Sequence, residues 1–300
     1  MINSVLYQNK NLEFCSEFDH HHLPLFLLCC STGATMPRNP KRNKTTQSPK
    51  SSANLSSSSP DPFPEHHQPT QAQCRAVRDD LLALHGLPRD LAKYRNPDPS
   101  DEAPPEKTVL DGVVSTLLSQ NTTDSNSRRA FLSLKSAFPA WEDVLSAEPK
   151  RVEDAIRCGG LAVTKAARIR SILKDVMERR GEICLEYLRA LSVGEVKAEL
   201  SRFKGIGPKT VACVLMFHLQ QDDFPVDTHV FRITKAIGWV PMKADREKAY
   251  LHLNNRIPND LKFDLNCLLI THGKLCPRCA KRASNQQSTD SPCPLTKLLL

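Results

Sequence analysis

The chain has 300 residues, a formal net charge of +8 and a calculated isoelectric point near 8.9. That length provides one large or two small domains, and the positive charge suits a polyanionic partner without identifying it. Eleven cysteines in a chain without a persuasive signal sequence argue against a secreted disulfide framework and favour a reducing compartment. The apolar run 23–30 is too short to span a bilayer, so we expect no membrane partner.

Residues 1–72 are predicted to form a disordered N-terminal targeting region. Basic residues follow Met36, which we interpret as a candidate natural start with a nuclear import signal. The stretch 45–72 is rich in Ser and Pro and has almost no core-forming residues, which is typical of disorder. Because 36–60 lacks acidic residues, it also fits an organellar transit peptide. We expect nuclear localisation, with the chloroplast or mitochondrion as the alternative.

From about residue 73 the pattern predicts helix after helix and no convincing strand, so the expected fold class is all-α. An apolar stripe over 109–118 predicts a buried helix, and the polar run Ser119–Asp124 follows it. Further on, a Gly159-Gly160 turn precedes Leu161, for which a core position is the simplest interpretation. The six basic residues of a predicted helix over 163–180 are interpreted as a solvated face.

The segment 195–219 predicts two short helices joined by a tight hairpin. Gly205 and Gly207 are expected to adopt positive φ and to let other atoms approach the backbone closely. Pro208 suits the first turn of the second helix, whose free N–H groups form an anion site. Lys209 falls in that turn, where partial burial would favour its neutral, nucleophilic amine. An ordinary helical corner with a solvated lysine is the simpler interpretation.

A carboxylate follows the hairpin at Asp227, within Val-Asp-Thr-His. Its simplest interpretation is the N-cap of a helix over 229–237. Near the chain end, Cys276 and Cys279 form a Cys-x-x-Cys pair typical of metal binding, and Cys293 follows after a polar segment. We predict these three cysteines as metal ligands with a doubtful fourth, because Cys267 lies in an apolar run and is expected to pack in the core.

Three ordered motifs give the span from about Val109 to Gly273 a resemblance to the helix-hairpin-helix (HhH-GPD) DNA glycosylases, most closely a plant member of the endonuclease III branch. The motifs are the leucine-rich helix with its Gln-Asn-Thr-Thr-Asp ending, G-x-G-x-K-T at 205–210, and V-D-T-H-x-x-R at 226–232. The resemblance implies two helical lobes with the active site in the cleft between them.

The same resemblance sets expected boundaries for the lobes. A six-helix barrel would occupy 106–221 and carry the helix-hairpin-helix at 195–219. The second lobe would be split between 73–105 and 222–300. No oligomerisation motif is present, so a monomer is expected.

The resemblance also implies a bifunctional DNA glycosylase and abasic-site lyase of base-excision repair. Its partner would be double-stranded DNA with a damaged base, an oxidised pyrimidine by family default, or an abasic site. Lys209 would attack C1′, expel the base and form a Schiff base that leads to β-elimination. Asp227 would activate the amine and stabilise positive charge on the sugar.

Further residues match the family's DNA contacts. Asn121, with Gln120 able to share the role, would fill the space left by the flipped base, and Leu161 would act as a second wedge. The other expected contacts to DNA come from the hairpin and from the third motif: Gly205, Ile206, Gly207, Thr210 and His229.

No cofactor is required for this chemistry. The family's structural [4Fe-4S] cluster uses four closely spaced cysteines, and this chain departs from that spacing, so an intact cluster is possible but doubtful. A non-catalytic DNA-binding protein and a monofunctional glycosylase using Asp227 and water stay open as alternatives. The presence of Asp227 argues against the first, and that of Lys209 argues against both. Removal of 5-methylcytosine ranks below them.

Overall fold

The computed structural model describes residues 60–95, 106–279 and 293–298, and within these ranges it contains helices and no strand. The all-α prediction is therefore confirmed. In chain order the α-helices are α1 Gln71–His85, α2 Arg89–Ala92, α3 Val109–Leu118, α4 Asp124–Ala137, α5 Trp141–Ser146, α6 Pro149–Ala155, α7 Ala162–Arg180, α8 Val193–Leu200, α9 Pro208–Cys213, α10 Thr228–Ala236, α11 Arg246–Arg256 and α12 Asn259–Leu275. No helix in the described ranges is both long and apolar enough to cross a membrane.

Short polar side chains determine where several of these helices begin. Thr70 before α1, Thr108 before α3 and Ser192 before α8 each accept a hydrogen bond from the third backbone N–H of the helix, within a capping box. Such a cap contributes about 1 kcal/mol. Pro208 occupies the first position of α9, as the sequence predicts.

The larger hydrophobic cluster, here the first cluster, comes from one continuous stretch of sequence between Val109 and Leu219. The helix α3 is buried along the whole predicted apolar stripe. The ring of His218 lies directly on this helix at Gly112, where an added Cβ would come within 2.3 Å of the imidazole. Glycine is therefore required at that position for the hairpin segment to pack on α3.

The second cluster joins segments that are far apart in sequence. Its members come from α1, from the region between Phe224 and Cys276, and from the turn Pro294–Leu298. A small third group, Met216, Phe263 and Cys267, connects the end of the hairpin segment to α12. Cys267 is therefore a core residue, as expected, while the predicted lobe boundaries stay a prediction.

The predicted disorder of residues 1–72 is wrong for residues 60–72, which have a defined structure. The imidazole of the fully buried His252 lies 2.8 Å from Oδ1 of Asp61 and 2.6 Å from the carbonyl of Gln68. Asp61 and His252 are 191 residues apart in sequence, so no local pattern predicts their contact. Residues 1–59, with the candidate start and import signal, lie outside the described residues.

Candidate active site

The hairpin between α8 and α9 depends on glycine at one position only. Gly205 has φ +90°, and a Cβ there would lie 2.5 Å from Cδ of Arg168. Gly207 has φ −93° and is the N-cap of α9, so the expected positive φ is wrong there, because an N-cap has extended backbone. Nothing lies within 4 Å of a Cβ placed on Gly207, which leaves that side open to a ligand.

Two predicted DNA contacts of the hairpin have inward side chains. Ile206 is buried in the first cluster, and Thr210 is buried with its hydroxyl accepting a hydrogen bond. A contact from these two residues to a partner would therefore use the backbone.

Gln120 holds the hairpin against the end of α3. Its Nε2 donates to the carbonyl of Gly205 at 3.0 Å and to Oγ1 of Thr210 at 3.1 Å. Its Oε1 accepts from the guanidinium of Arg168 at 3.1 Å. These bonds occupy the whole amide, so they favour Asn121 over Gln120 for the role of filling a vacated base position, which stays a prediction for both.

Asn121 and Leu161 share an unusual backbone conformation. Their φ values are +53° and +51°, in the left-handed region, which costs a residue such as leucine about 1 kcal/mol or more. Both side chains are exposed, Leu161 to 56%, so a core position for Leu161 is wrong. Strained backbone that presents an apolar side chain to solvent is typical of a contact surface.

A buried lysine connects the two turns that carry these residues. Nζ of Lys165 donates to the carbonyl of Leu118 at 2.7 Å and to that of Gly159 at 2.9 Å. Burial lowers the pKa of this side chain. The predicted solvated face of α7 is therefore wrong for Lys165, which is 1% exposed; within a run of basic residues no sequence signal distinguishes the buried one.

Lys209 and Asp227 lie in the first turn of α9 and at the start of α10. Lys209 is exposed, which agrees with the simpler interpretation of a solvated lysine and leaves no partial burial to favour its neutral amine. Asp227 is half-buried and caps α10, where its Oδ1 accepts from the N–H of Val230 at 2.8 Å. The cap prediction is confirmed, and among the described residues Oδ2 has no hydrogen-bond partner. The carboxylate therefore keeps one oxygen for another role.

The charges of Lys209 and Asp227, together with that of Asp223, influence the pKa of the thiol of Cys213. Burial raises the pKa of this thiol, the charge of Lys209 lowers it and the charge of Asp227 raises it. Beyond Cys213 the helix continues as a π-helical turn over 214–218, closed by the N–H of Leu219 on the carbonyl of Val214 at 3.0 Å. Such turns occur frequently at functional sites, and neither feature was predicted.

A cavity of about 690 Å³ lies beside this thiol, within the size range of small-ligand pockets. An ion pair of 2.5 Å between Asp124 of α4 and Lys274 of α12 joins the helices on its two sides. Lys209 and Asp227 lie outside its lining. The lining residues are Pro88, Leu91, Lys93, Tyr94, Glu106, Ser115, Thr116, Ser119, Asp124, Ser125, Ser127, Arg128, Cys213, Phe217, His218, Thr271, Lys274 and Leu275.

The third motif fastens α10 to α12. His229 is half-buried against Gly273, where an added Cβ would come within 2.6 Å of Cβ of His229. The guanidinium of Arg232 donates to the carbonyl of Gly273 at 3.2 Å. His229 therefore has a packing role in the free protein, and its contact with DNA stays a prediction.

The three predicted metal ligands lie together with a fourth donor that was not predicted. The Sγ atoms of Cys276, Cys279 and Cys293 and a ring nitrogen of His272 all lie within 4.8 Å of one another. Cys267 packs in the third group instead. His272 precedes Cys276 by four residues at the end of a predicted helix, and this spacing places both on one face, a signal that was available in the sequence.

An all-α fold with a glycine hairpin, a lysine at its second helix and a capping aspartate is typical of the helix-hairpin-helix class. The family described as "HhH-GPD superfamily base excision DNA repair protein" matches residues 114–259. The Arabidopsis thaliana protein named "Putative DNA glycosylase At3g47830" is 56% identical over 255 residues, covering 78% of this chain and 87% of that protein. The chain belongs to the HhH-GPD superfamily of base excision DNA repair proteins.

More distant relatives extend the comparison to the endonuclease III branch. Endonuclease III of Thermotoga maritima is 29% identical over 204 residues, covering 65% of this chain and 89% of that enzyme. A solved structure of a non-covalent complex of endonuclease III with DNA has a TM-score of 0.58 at 22% identity, covering 77% of this chain and 95% of that chain. That likeness shows the shared fold.

Proposed function

We propose that this chain is a DNA glycosylase that removes a damaged base from double-stranded DNA and then nicks the strand through a lysine Schiff base. The observation that carries the proposal is the exposed Lys209 in the first turn of α9, behind a hairpin that is open at Gly207, together with an Asp227 that keeps one carboxylate oxygen without a hydrogen-bond partner among the described residues. Membership of a base-excision-repair superfamily supports the substrate class.

The chemistry assigned to these residues is balanced without a cofactor. The amine nitrogen of Lys209 attacks C1′ while the bond from C1′ to the base breaks, and the base leaves with the bonding electrons and takes up a proton. The nitrogen then loses a proton and forms the C1′=N Schiff base as the C1′–O4′ bond breaks and O4′ takes up a proton, which opens the sugar ring. Loss of a C2′ proton expels the 3′ phosphate by breaking the 3′ C–O bond, and hydrolysis of the imine by water returns the free lysine. Asp227 stabilises the positive charge that develops on the sugar.

The contacts to DNA are assigned by exposure. The open face at Gly207 and the N-terminus of α9 suit a phosphate. Asn121 and Leu161 are exposed on strained turns, and we assign them to the stack position vacated by the flipped nucleotide. An oxidised pyrimidine is the proposed lesion, the proposed active species is a monomer, and its proposed compartment is the nucleus.

Borohydride trapping on a duplex with an abasic site, and then with thymine glycol, tests the proposal. We expect a covalent adduct that Lys209→Ala abolishes and that Lys204→Ala, a change at another exposed lysine of the same loop, leaves intact. Base release without an adduct would favour a monofunctional glycosylase that uses Asp227 and water. DNA binding with neither reaction across a panel of lesions would favour a non-catalytic DNA-binding protein.

A further inference from the structure

The structure points to a single tetrahedral zinc ion held by His272, Cys276, Cys279 and Cys293, in place of the four-iron cluster that the endonuclease III resemblance implies. We infer this from the donor set, the donor spacing and the neighbour that orients the imidazole. The inference does not rest on the proposed catalytic function.

The donor set is three thiols and one imidazole. This combination is an established structural zinc set, and thiolates with imidazole suit Zn²⁺ in general. Four-iron clusters are held by four cysteines. Among the described residues no fourth cysteine joins this group of donors, and Cys267 is fully buried in the third group instead.

The spacing of the donors fits one ion. Sγ of Cys279 lies 3.9 Å from Sγ of Cys293, which lies 3.4 Å from Nε2 of His272. Zinc bonds of about 2.3 Å to sulfur and about 2.0 Å to nitrogen give tetrahedral edges of about 3.8 Å and about 3.5 Å. In a cluster of four irons each thiolate binds a different iron, and sulfur atoms close to van der Waals contact leave no room for such a body.

A hydrogen bond to its second ring nitrogen fixes the orientation of His272. Its Nδ1 lies 2.9 Å from Nε2 of His85 on α1, so that Nε2 faces the thiols. A metal-binding histidine almost always uses its second nitrogen in this way, and the contact sets the tautomer. The hydrogen bond also ties α12 to α1.

The donors come from two segments of the chain, the end of α12 with the turn after it and the residue before Pro294. His272 and Cys276 lie one turn apart at the end of α12, and Cys279 follows in a tight turn closed by its N–H on the carbonyl of Cys276 at 3.1 Å. Cys293 precedes the turn Pro294–Leu298, in which Leu295 is fully buried. One ion would therefore fasten the chain end to α12, and its binding would release the thiol protons.

Metal analysis of the full chain, produced with iron and zinc both supplied and purified without oxygen, tests the inference. We expect about one zinc ion per chain and no visible absorption of an iron–sulfur chromophore. About four irons and four sulfides per chain, or no bound metal, would overturn it.

Substitutions test the ligand set by competition with a zinc chelator. We expect His272→Ala to weaken zinc binding at least 100-fold, His272→Cys to retain it as a four-cysteine site, and His85→Ala to weaken it about 10- to 100-fold. Cys267→Ala is the matched control and should leave zinc affinity unchanged. Zinc affinity that is unaffected by His272→Ala, or that falls as far in Cys267→Ala, would overturn the assignment.

Replacement of the metal by Co²⁺ distinguishes a ligand from a residue that only supports the fold, because the visible spectrum changes only when a ligand changes. Co²⁺ bound to thiolates in a tetrahedral site absorbs in the visible range, and the bands depend on the ligands. We expect His272→Cys to change the band positions at full occupancy. Identical spectra for the wild-type chain and His272→Cys would show that His272 is not a ligand.

Discussion

The two hydrophobic clusters are held together by different means. The first comes from one stretch, Val109 to Leu219, and its two exposed turns are joined by the buried side chain of Lys165. The second joins α1, the region from Phe224 onward and the chain end, and donors from two of these segments meet at His272. The Lys165 contacts lie within one segment, whereas the contact of His272 with His85 joins segments 187 residues apart, and bringing such distant segments together costs more loop-closure entropy.

The largest expected effect tests whether catalysis needs Asp227, which caps a helix of the second cluster, in addition to Lys209 of the hairpin. Asp227→Asn should slow single-turnover release of thymine glycol, and the nicking that follows it, about 1,000-fold, because the neutral amide cannot stabilise the positive charge that develops on the sugar as the base leaves. Folding stability should change by less than about 0.5 kcal/mol, since Asn caps a helix as well as Asp.

Asp245 provides the matched control for that change. It caps α11 with the same geometry, its Oδ1 accepting from the N–H of Lys248 at 2.8 Å. Asp245→Asn should leave nicking unchanged. Equal activity of the two variants would show that Asp227 is a cap and nothing more.

The internal tie of the first cluster is tested by Lys165→Met. The change leaves the carbonyls of Leu118 and Gly159 buried without a donor, and we expect a loss of about 3 kcal/mol in unfolding free energy. Hydrogen exchange should rise within 109–219 more than in α10 to α12. A uniform rise over both clusters would contradict separate means of stabilisation.

The packing of His218 against α3 is expected to weaken in acid. Burial is the main reason that the pKa of His218 is lowered to about 4. The charge of Arg189 also lowers this pKa, whereas the charges of Glu106 and Asp111 raise it. The unfolded chain then binds more protons between pH 6.5 and about 4, so stability should fall by about 3 kcal/mol as the pH decreases through that window.

Urea unfolding between pH 7 and pH 4 measures this contribution. His218→Gln removes the titrating group and should flatten the acid side of the curve. His67→Gln, at an exposed histidine, serves as the control and should keep the slope. A wild-type slope in His218→Gln would assign the acid sensitivity to other groups.

The smallest expected effect concerns the exposed turn of the first cluster. Leu161→Gly should raise stability by up to about 1 kcal/mol, because glycine adopts positive φ without strain. Removal of the side chain should slow base excision about 10-fold in single-turnover assays. Leu132→Ala, at another exposed leucine, should change neither; a loss of stability in Leu161→Gly would contradict the strain argument.

Sequence reasoning worked best where the signal is local. The stripe of α3, the N-cap at Asp227, the start of α9 at Pro208 and the all-α class all depend on residues within a few positions of one another. It failed for Gly207, whose backbone is extended, because a Gly-x-Gly pattern does not say which glycine carries positive φ.

Local sequence patterns do not predict contacts between segments that are far apart in the chain. Asp61 meets His252, and Gln120 holds the hairpin at Gly205. Lys165 is buried, whereas the other basic residues of α7 are not. The difference arises because Lys165 faces the carbonyls of Leu118 and Gly159. His272 carried a spacing signal, yet its role depends on Cys293 arriving from the chain end.

The sequence by itself determined the helical class, the hairpin, the capping aspartate and membership of the superfamily, since periodicity and motif spacing act over short range. Only the tertiary structure decided that two exposed turns share a buried lysine and that an imidazole lies beside the three thiols. The physical reason is that electrostatic and coordination geometry depend on distance in space, which chain separation does not specify.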